Sequence, residues 1–168
     1  MVLLYTLSIL YNRFMDILLD LITNKILVSA AAGWFFAQAG KMLIDMVKGD
    51  FSVSRLTGGG GFPSAHSSTV CSLAASTGLV CGFGGFEFVM ALFFAIIVMY
   101  DARGVRYETG QQARILNKLR RRDSERGEEA LFNEPLEEKM GHTVPELVAG
   151  AVLGIIVAII VCGVLPAR

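Results

Sequence analysis

The chain has 168 residues, 54% of them hydrophobic and 18% charged, with a mean hydropathy of +0.56. That is too apolar for a soluble domain of this length, and the balance of 15 basic against 15 acidic residues excludes the basic footprint of a nucleic-acid-binding protein. Cys71, Cys81 and Cys162 stand in apolar stretches without metal-ligand spacing and describe no disulfide framework, so they read as small buried hydrophobes.

The expected fold is all-α, an integral membrane helical bundle of four core helices plus an N-terminal amphipathic or membrane helix, in a single membrane domain over residues 1–168. Within residues 1–24 the apolar stretch 2–22 carries Asn12, Arg13, Asp16 and Asp20. Charges at mid-span are costly, which favours an amphipathic interfacial helix over a fifth span. A signal peptide is disfavoured, because no basic segment precedes the apolar run and no A-x-A site follows it. Residues 26–47 have the length of a bilayer-spanning helix. Residues 64–81 and 86–100, joined by Gly82-Phe83-Gly84-Gly85, form a helical hairpin that is marginal in length for full crossings.

Residues 102–141 form a charged cytoplasmic insertion. Between Asp101 and Gly141 stand nine basic and nine acidic residues, so this segment lies in water. Its part 109–119 places Ala113, Ile115, Leu116 and Leu119 as a helix along the bundle or membrane surface would, whereas 120–129 is almost wholly charged and reads as a solvated link. Residues 144–165 supply the last span.

Four clusters of reactive or charged residues then fall at one membrane face. Lys41 and Lys48, seven apart, share a helical face at the end of the first span. The run Gly58 to Gly61 leads through Phe62 and Pro63 to Ser64, Ala65 and His66 at the start of the second core helix. Arg103 and Arg106 close the third, and Gly141, His142 and Glu146 open the fourth. Lysine snorkelling, flexible glycines, capping histidines and lipid-anchoring arginines are the bland readings of these residues taken singly. Together they describe a phosphate pocket: arginine offers planar paired donors, lysine a point charge, helix N-termini oriented amides, and two imidazoles divide nucleophile from general acid. No carboxylate cluster is spaced to hold magnesium, so the chemistry is expected to need no metal and no cofactor.

These residues resemble a known family. Pro63-Ser64-Ala65-His66 is similar to the P-S-G-H motif of the type 2 phosphatidic acid phosphatase and vanadium haloperoxidase superfamily, and His142-x-x-x-Glu146-Leu-Val-Ala-Gly150 to its H-x-x-x-D-V-L-A-G ending. Lys41 with Lys48 resembles the opening K-x6-R-P, with Lys for Arg and Gly49 for Pro. The likeness is closer to a divergent bacterial and plant branch with G-G-x-P-S-x-H, Y-D-A-x-G-V-R and G-H-T-x-x-x-x-x-A-G, over about residues 30–160. The resemblance implies that His142 is a nucleophile forming a phosphohistidine, that Glu146 orients its ring in place of Asp, and that His66 protonates the leaving alcohol. It implies further that Lys41, Lys48, Ser64, Gly61 and Arg106 or Arg103 hold the phosphate. The superfamily's S-R pair falls on Pro135-Leu136, so its arginine must come from the segment around Arg103 and Arg106.

Two functions follow. One is a metal-independent phosphatase acting on a lipid or isoprenoid phosphate. The other is a protein that keeps the phosphate pocket but only binds or moves an anionic lipid. Membrane lipids and a phosphorylated lipid substrate are the expected partners, and a homo-oligomer is a possible assembly.

Orientation follows from the basic residues of the loops. Residues 48–62 and 101–141 together hold eleven Lys or Arg, against Arg13, Lys25 and Arg168 on the other side, which puts the pocket and the insertion in the cytoplasm. A cysteine at position 124 (Ser124→Cys), in a background lacking the native cysteines, is therefore expected to resist a membrane-impermeant thiol reagent in intact cells and to react once the membrane is opened. Labelling in intact cells would reverse the orientation.

Overall fold

The computed structural model describes residues 2–49, 60–127, 132, 134–138 and 140–166. Gly58 and Gly59 of the glycine run, and Glu128 and Glu129 of the expected charged link, lie outside the described residues. Six helices run through the rest: α1 Val2–Thr23, α2 Lys25–Val47, α3 Ala65–Cys81, α4 Phe86–Arg103, α5 Val105–Glu125 and α6 Val144–Val164.

Local chemistry sets the helix boundaries. The Asn24 side chain accepts from the N–H groups of Ile26 and Leu27, both at 3.0 Å, so it starts α2 where α1 ends. Gly82, at φ 93°, closes α3 in a region that disfavours side chains, and the Gly82-Phe83-Gly84-Gly85 turn leads into α4. Gly104 separates α4 from α5. Helix α5 continues to Glu125 before Gly127, at φ 73°, ends it. Residues 120–125 are thus the largely exposed end of a helix instead of a link. Arg120, Arg121 and Arg122 are good helix formers, so their charge kept the segment in water without breaking the helix.

Helices α2, α6 and the helical stretch from Phe86 are long and apolar enough to cross a membrane. At 17 residues α3 is shorter, about 25 Å at the usual rise, yet it is the central helix and packs against α2, α4 and α6. Its buried residues are small and mostly polar: Ser67, Ser68, Ser72, Ser76 and Thr77 beside Val70, Ala74 and Gly78. The bulky side chains face outward instead, with Phe35, Phe93, Ile97 and Ile160 all more than half exposed. Lipid is as apolar as leucine, so burying such side chains between helices gains little in a bilayer, and close backbone contact with interhelical hydrogen bonds takes over.

Both devices are present. On α2, Ser29, Gly33, Ala37 and Lys41 form a buried stripe at four-residue spacing. Ser68 Oγ donates to the Gly33 carbonyl at 2.8 Å and Ser72 Oγ to that of Ser29 at 2.7 Å. On α6, a Cβ on Gly150 would run into the Ser64 carbonyl, and one on Gly154 into that of Ser68. The chain is therefore a membrane helical bundle keyed on α3. Helix α4 joins through Ala95 against Val70 and Ala74, while α1 sits against α2.

This packing predicts opposite effects for two glycines of one helix. Gly154→Ala should lower the stability of the detergent-solubilised protein by about 1–3 kcal/mol through overpacking against α3. At Gly163 nothing lies within 4 Å of a new Cβ, so Gly163→Ala should be neutral or stabilising by up to about 1 kcal/mol. Thermal unfolding of the two variants beside the unaltered protein measures both.

Candidate active site

The C-terminal part of α2, the start of α3, the end of α4 and the start of α6 meet at one end of the bundle. Main-chain bonds tie three of them together. Ser64 N–H, at the N-cap of α3, donates to the Glu146 carbonyl in the first turn of α6 at 3.0 Å, and His142 N–H donates to the Ala102 carbonyl of α4 at 2.9 Å. Gly141, at φ 74°, lies against the main chain of Arg106 and Tyr107, where a side chain would collide.

These ties bring three sequence-predicted residues into one chain of contacts. His66 Nδ1 stands 3.4 Å from His142 Nε2, and His142 Nδ1 stands 3.1 Å from Glu146 Oε2. An ionised Glu146 accepts the Nδ1 hydrogen of His142, which leaves a lone pair on Nε2 facing His66. Glu146 is held in turn by Thr143, whose N–H donates to Oε2 at 3.1 Å, so one carboxylate both caps α6 and orients the ring. The His142 side chain is only 3% exposed. Burial pushes its pKa below the ordinary 6.5; the Glu146 hydrogen bond and charge pull it back up, and the Lys41 and Arg106 charges push it down again.

The predicted cations are sorted by position. Lys41 is buried, and its charge and that of Arg106 reach both imidazoles. Gly61, at φ 114°, leaves room for the Lys41 stem: a Cβ there would lie 2.6 Å from Lys41 Cε. Arg106 Nε pairs with Asp101 Oδ2 at 2.9 Å across the Gly104 junction. Arg103 and Lys48 are not brought to the histidines in this way. Arg103 is exposed in the last turn of α4, and Lys48 is the exposed C-cap of α2, a full heptad beyond Lys41. Ser64 is fully buried, and its hydroxyl accepts from Ser67 N–H at 3.3 Å, so it serves as the α3 cap. Among the described residues no group of three or more His, Cys, Asp or Glu is arranged to hold a metal ion.

Sequence reasoning passed over Asp101, Thr143 and Asn117. The D-A-x-G-V-R spacing carried a signal for Asp101, and Thr143 followed by Glu146 is a capping-box pattern. Asn117 gave none beyond being a polar residue in line with Ala113.

A sequence profile described as the Divergent PAP2 family matches residues 22–157. The chain is also 33% identical over 154 residues, 84% of its own length and 96% of the relative's, to the uncharacterized membrane protein YuiD of Bacillus subtilis (strain 168). No solved structure matches it.

The balance of influences on His142 gives signed expectations. Its imidazole should titrate below 6.5; Glu146→Gln, which removes the carboxylate charge and leaves only a neutral acceptor at Nδ1, should lower the value further, and Lys41→Met should raise it. Histidine-selective NMR against pH reads this directly, because the chain has two histidines.

Proposed function

This chain belongs to the Divergent PAP2 family, and from that premise we propose that it is a membrane-embedded, metal-independent phosphatase that hydrolyses a lipid or isoprenoid phosphate through a phosphohistidine. The observation that carries the reading is the Glu146–His142–His66 chain of contacts, with Lys41 and Arg106 as the cations around it. A lipid binder needs only the cations. An imidazole whose Nδ1 is held by a carboxylate and whose Nε2 faces a second imidazole is an arrangement for nucleophilic attack with proton transfer.

In this mechanism the phosphate enters between the two rings, which part to admit it. Nε2 of His142 attacks phosphorus, the bond from phosphorus to the alkyl oxygen breaks, and protonated His66 gives its proton to that oxygen. Lys41 and Arg106 meet the charge on the non-bridging oxygens, Arg106 turning from Asp101 to do so. The imidazolium of His142 is stabilised by Glu146. Water, deprotonated by His66, then attacks phosphorus; the P–N bond breaks and inorganic phosphate leaves. The site stands at the end of a bundle whose sides are apolar, which suits a substrate with a buried tail and an exposed phosphate. The same reading puts this end in the cytoplasm, α1 at the membrane interface and residues 102–141 beside the site.

A second reading, an anionic-lipid binding protein on a phosphatase scaffold, draws support from two features. Arg106 is already paired with Asp101, and Pro135-Leu136 stand where the superfamily has Ser and Arg.

Release of inorganic phosphate by the purified protein from a panel of lipid phosphates separates the two. The enzyme reading expects His142→Ala to abolish turnover and His66→Ala to lose about 10²- to 10⁴-fold with an alkyl phosphate. With a nitrophenyl phosphate, whose leaving group needs no proton, His66→Ala should lose less in the first-turnover release of nitrophenol, the step before water attacks. Vanadate, a mimic of five-coordinate phosphorus, should inhibit. Turnover no greater than that of His142→Ala, in folded protein that still binds phosphate, would leave the binding reading.

A further inference from the structure

Among the described residues the segment leading into His142 has no helix of its own, and α5 supplies what holds it. Asn117 is 3% exposed in the interior of α5, where asparagine is a poor helix former. Its side-chain amide acts as a substitute peptide group. Nδ2 donates to the Leu136 carbonyl at 2.8 Å, and Oδ1 accepts from Leu136 N–H at 2.9 Å. Nδ2 also donates to Glu138 Oε1 at 2.9 Å, and that carboxylate lies 3.6 Å from Arg114 Nε.

The other two buried residues of α5, Gly110 and Ala113, lie on the face of Asn117, seven and four residues before it. At Gly110 the main chain of Glu138 and Met140 comes so close that a Cβ would sit 2.8 Å from the Glu138 carbonyl and 3.0 Å from that of Met140. Gly141 then lies on the first turn of α5, and His142 N–H reaches Ala102. The chain entering His142 is thus laid along α5 from Asn117 back to Arg106.

We propose that Asn117 is a positioning residue for His142: α5 is a splint, and its asparagine fixes the strap of residues 134–138 and 140–141 that sets the imidazole against His66. The kinetic consequence rests on His142 being the attacking group. The placement does not. Loosening the strap leaves the Leu136 N–H and C=O without their partner and frees the chain on one side of His142, while the tie to Ala102 and helix α6 hold the other. An error of about 1 Å in a reacting group is enough to cost 10²-fold in rate.

The test uses the full-length protein with ring-labelled histidine, the two signals being assigned with His66→Asn. In Asn117→Ala the His142 signal should shift and its titration should move up toward the ordinary value as the ring gains water. With a lipid phosphate that the native protein hydrolyses, kcat should fall about 10- to 100-fold and KM should change little. Asn117→Asp, which keeps the acceptor for Leu136 N–H but loses both donors, should show the same changes. Ile115→Ala, 60% exposed on another face of α5, should leave signal and rate as they were. If Asn117→Ala does not fold, Glu138→Ala removes one Asn117 partner at a partly exposed position and should move the His142 signal the same way by less. A His142 signal and titration unchanged in the folded Asn117 and Glu138 variants overturns the proposal. Should no phosphate ester be hydrolysed by the native protein, the enzyme reading fails and the resonance measurement still decides the splint.

Discussion

The approach of α6 to α3, main chain against main chain, is the contact on which the other features depend. Gly150 and Gly154 present no side chain where α3 passes, so the carbonyls of Ser64 and Ser68 lie where a Cβ would stand. This closeness lets Ser64 N–H bond to the Glu146 carbonyl. Two helix N-termini are thereby locked side by side, and each carries a histidine at or just before its first turn. A bulkier pair of residues on α6 would separate the helices, break that bond and take His142 away from His66. In water a bundle of this size would be held by large buried side chains; here serine hydroxyls and glycines do that work, and the large side chains are left for lipid.

The same geometry sets the electrostatics. Two helix N-termini, Lys41 and Arg106 direct positive charge at one spot, which favours a bound phosphate; burial first, and then the Lys41 and Arg106 charges, disfavour protonation of His142. Glu146 opposes that pressure through Nδ1, where its hydrogen bond and charge pull the pKa back up while the contact orients the ring. Asp101 tempers Arg106 from outside. Burial and neighbouring cations thus bias the His142 ring toward its neutral form, as the proposed mechanism asks of an attacking group, and one carboxylate that is also a helix cap holds its orientation.

Much of this was legible in the chain. Long apolar runs marked α2, α4 and α6, and two short motifs marked His66, His142 and Glu146, because each motif joins a helix start to a reactive residue. Other parts were not legible for physical reasons. Lys41 and Lys48 share a helical face by spacing, but spacing does not say where the helix ends, and Lys48 falls on its exposed cap. Arg103 and Arg106 are three apart, and only the break at Gly104, with the Asp101 pair across it, sets Arg106 apart. Charge density marked residues 120–129 as solvated, yet arginine favours helix as readily as water, and α5 runs on to Glu125. Asn117 could not be found from its neighbours, since its partners are 19 and 21 residues away on a segment without periodicity.

The central claim is that His142 takes the phosphoryl group. Acid-labile, base-stable labelling of the protein by a lipid phosphate carrying ³²P, quenched within the first turnovers, measures it most directly. The account predicts label on the peptide containing His142, absent in His142→Ala and accumulating in His66→Ala when the substrate is a nitrophenyl phosphate, because water activation is then impaired. Turnover without any such label, or label that persists in His142→Ala, would contradict it.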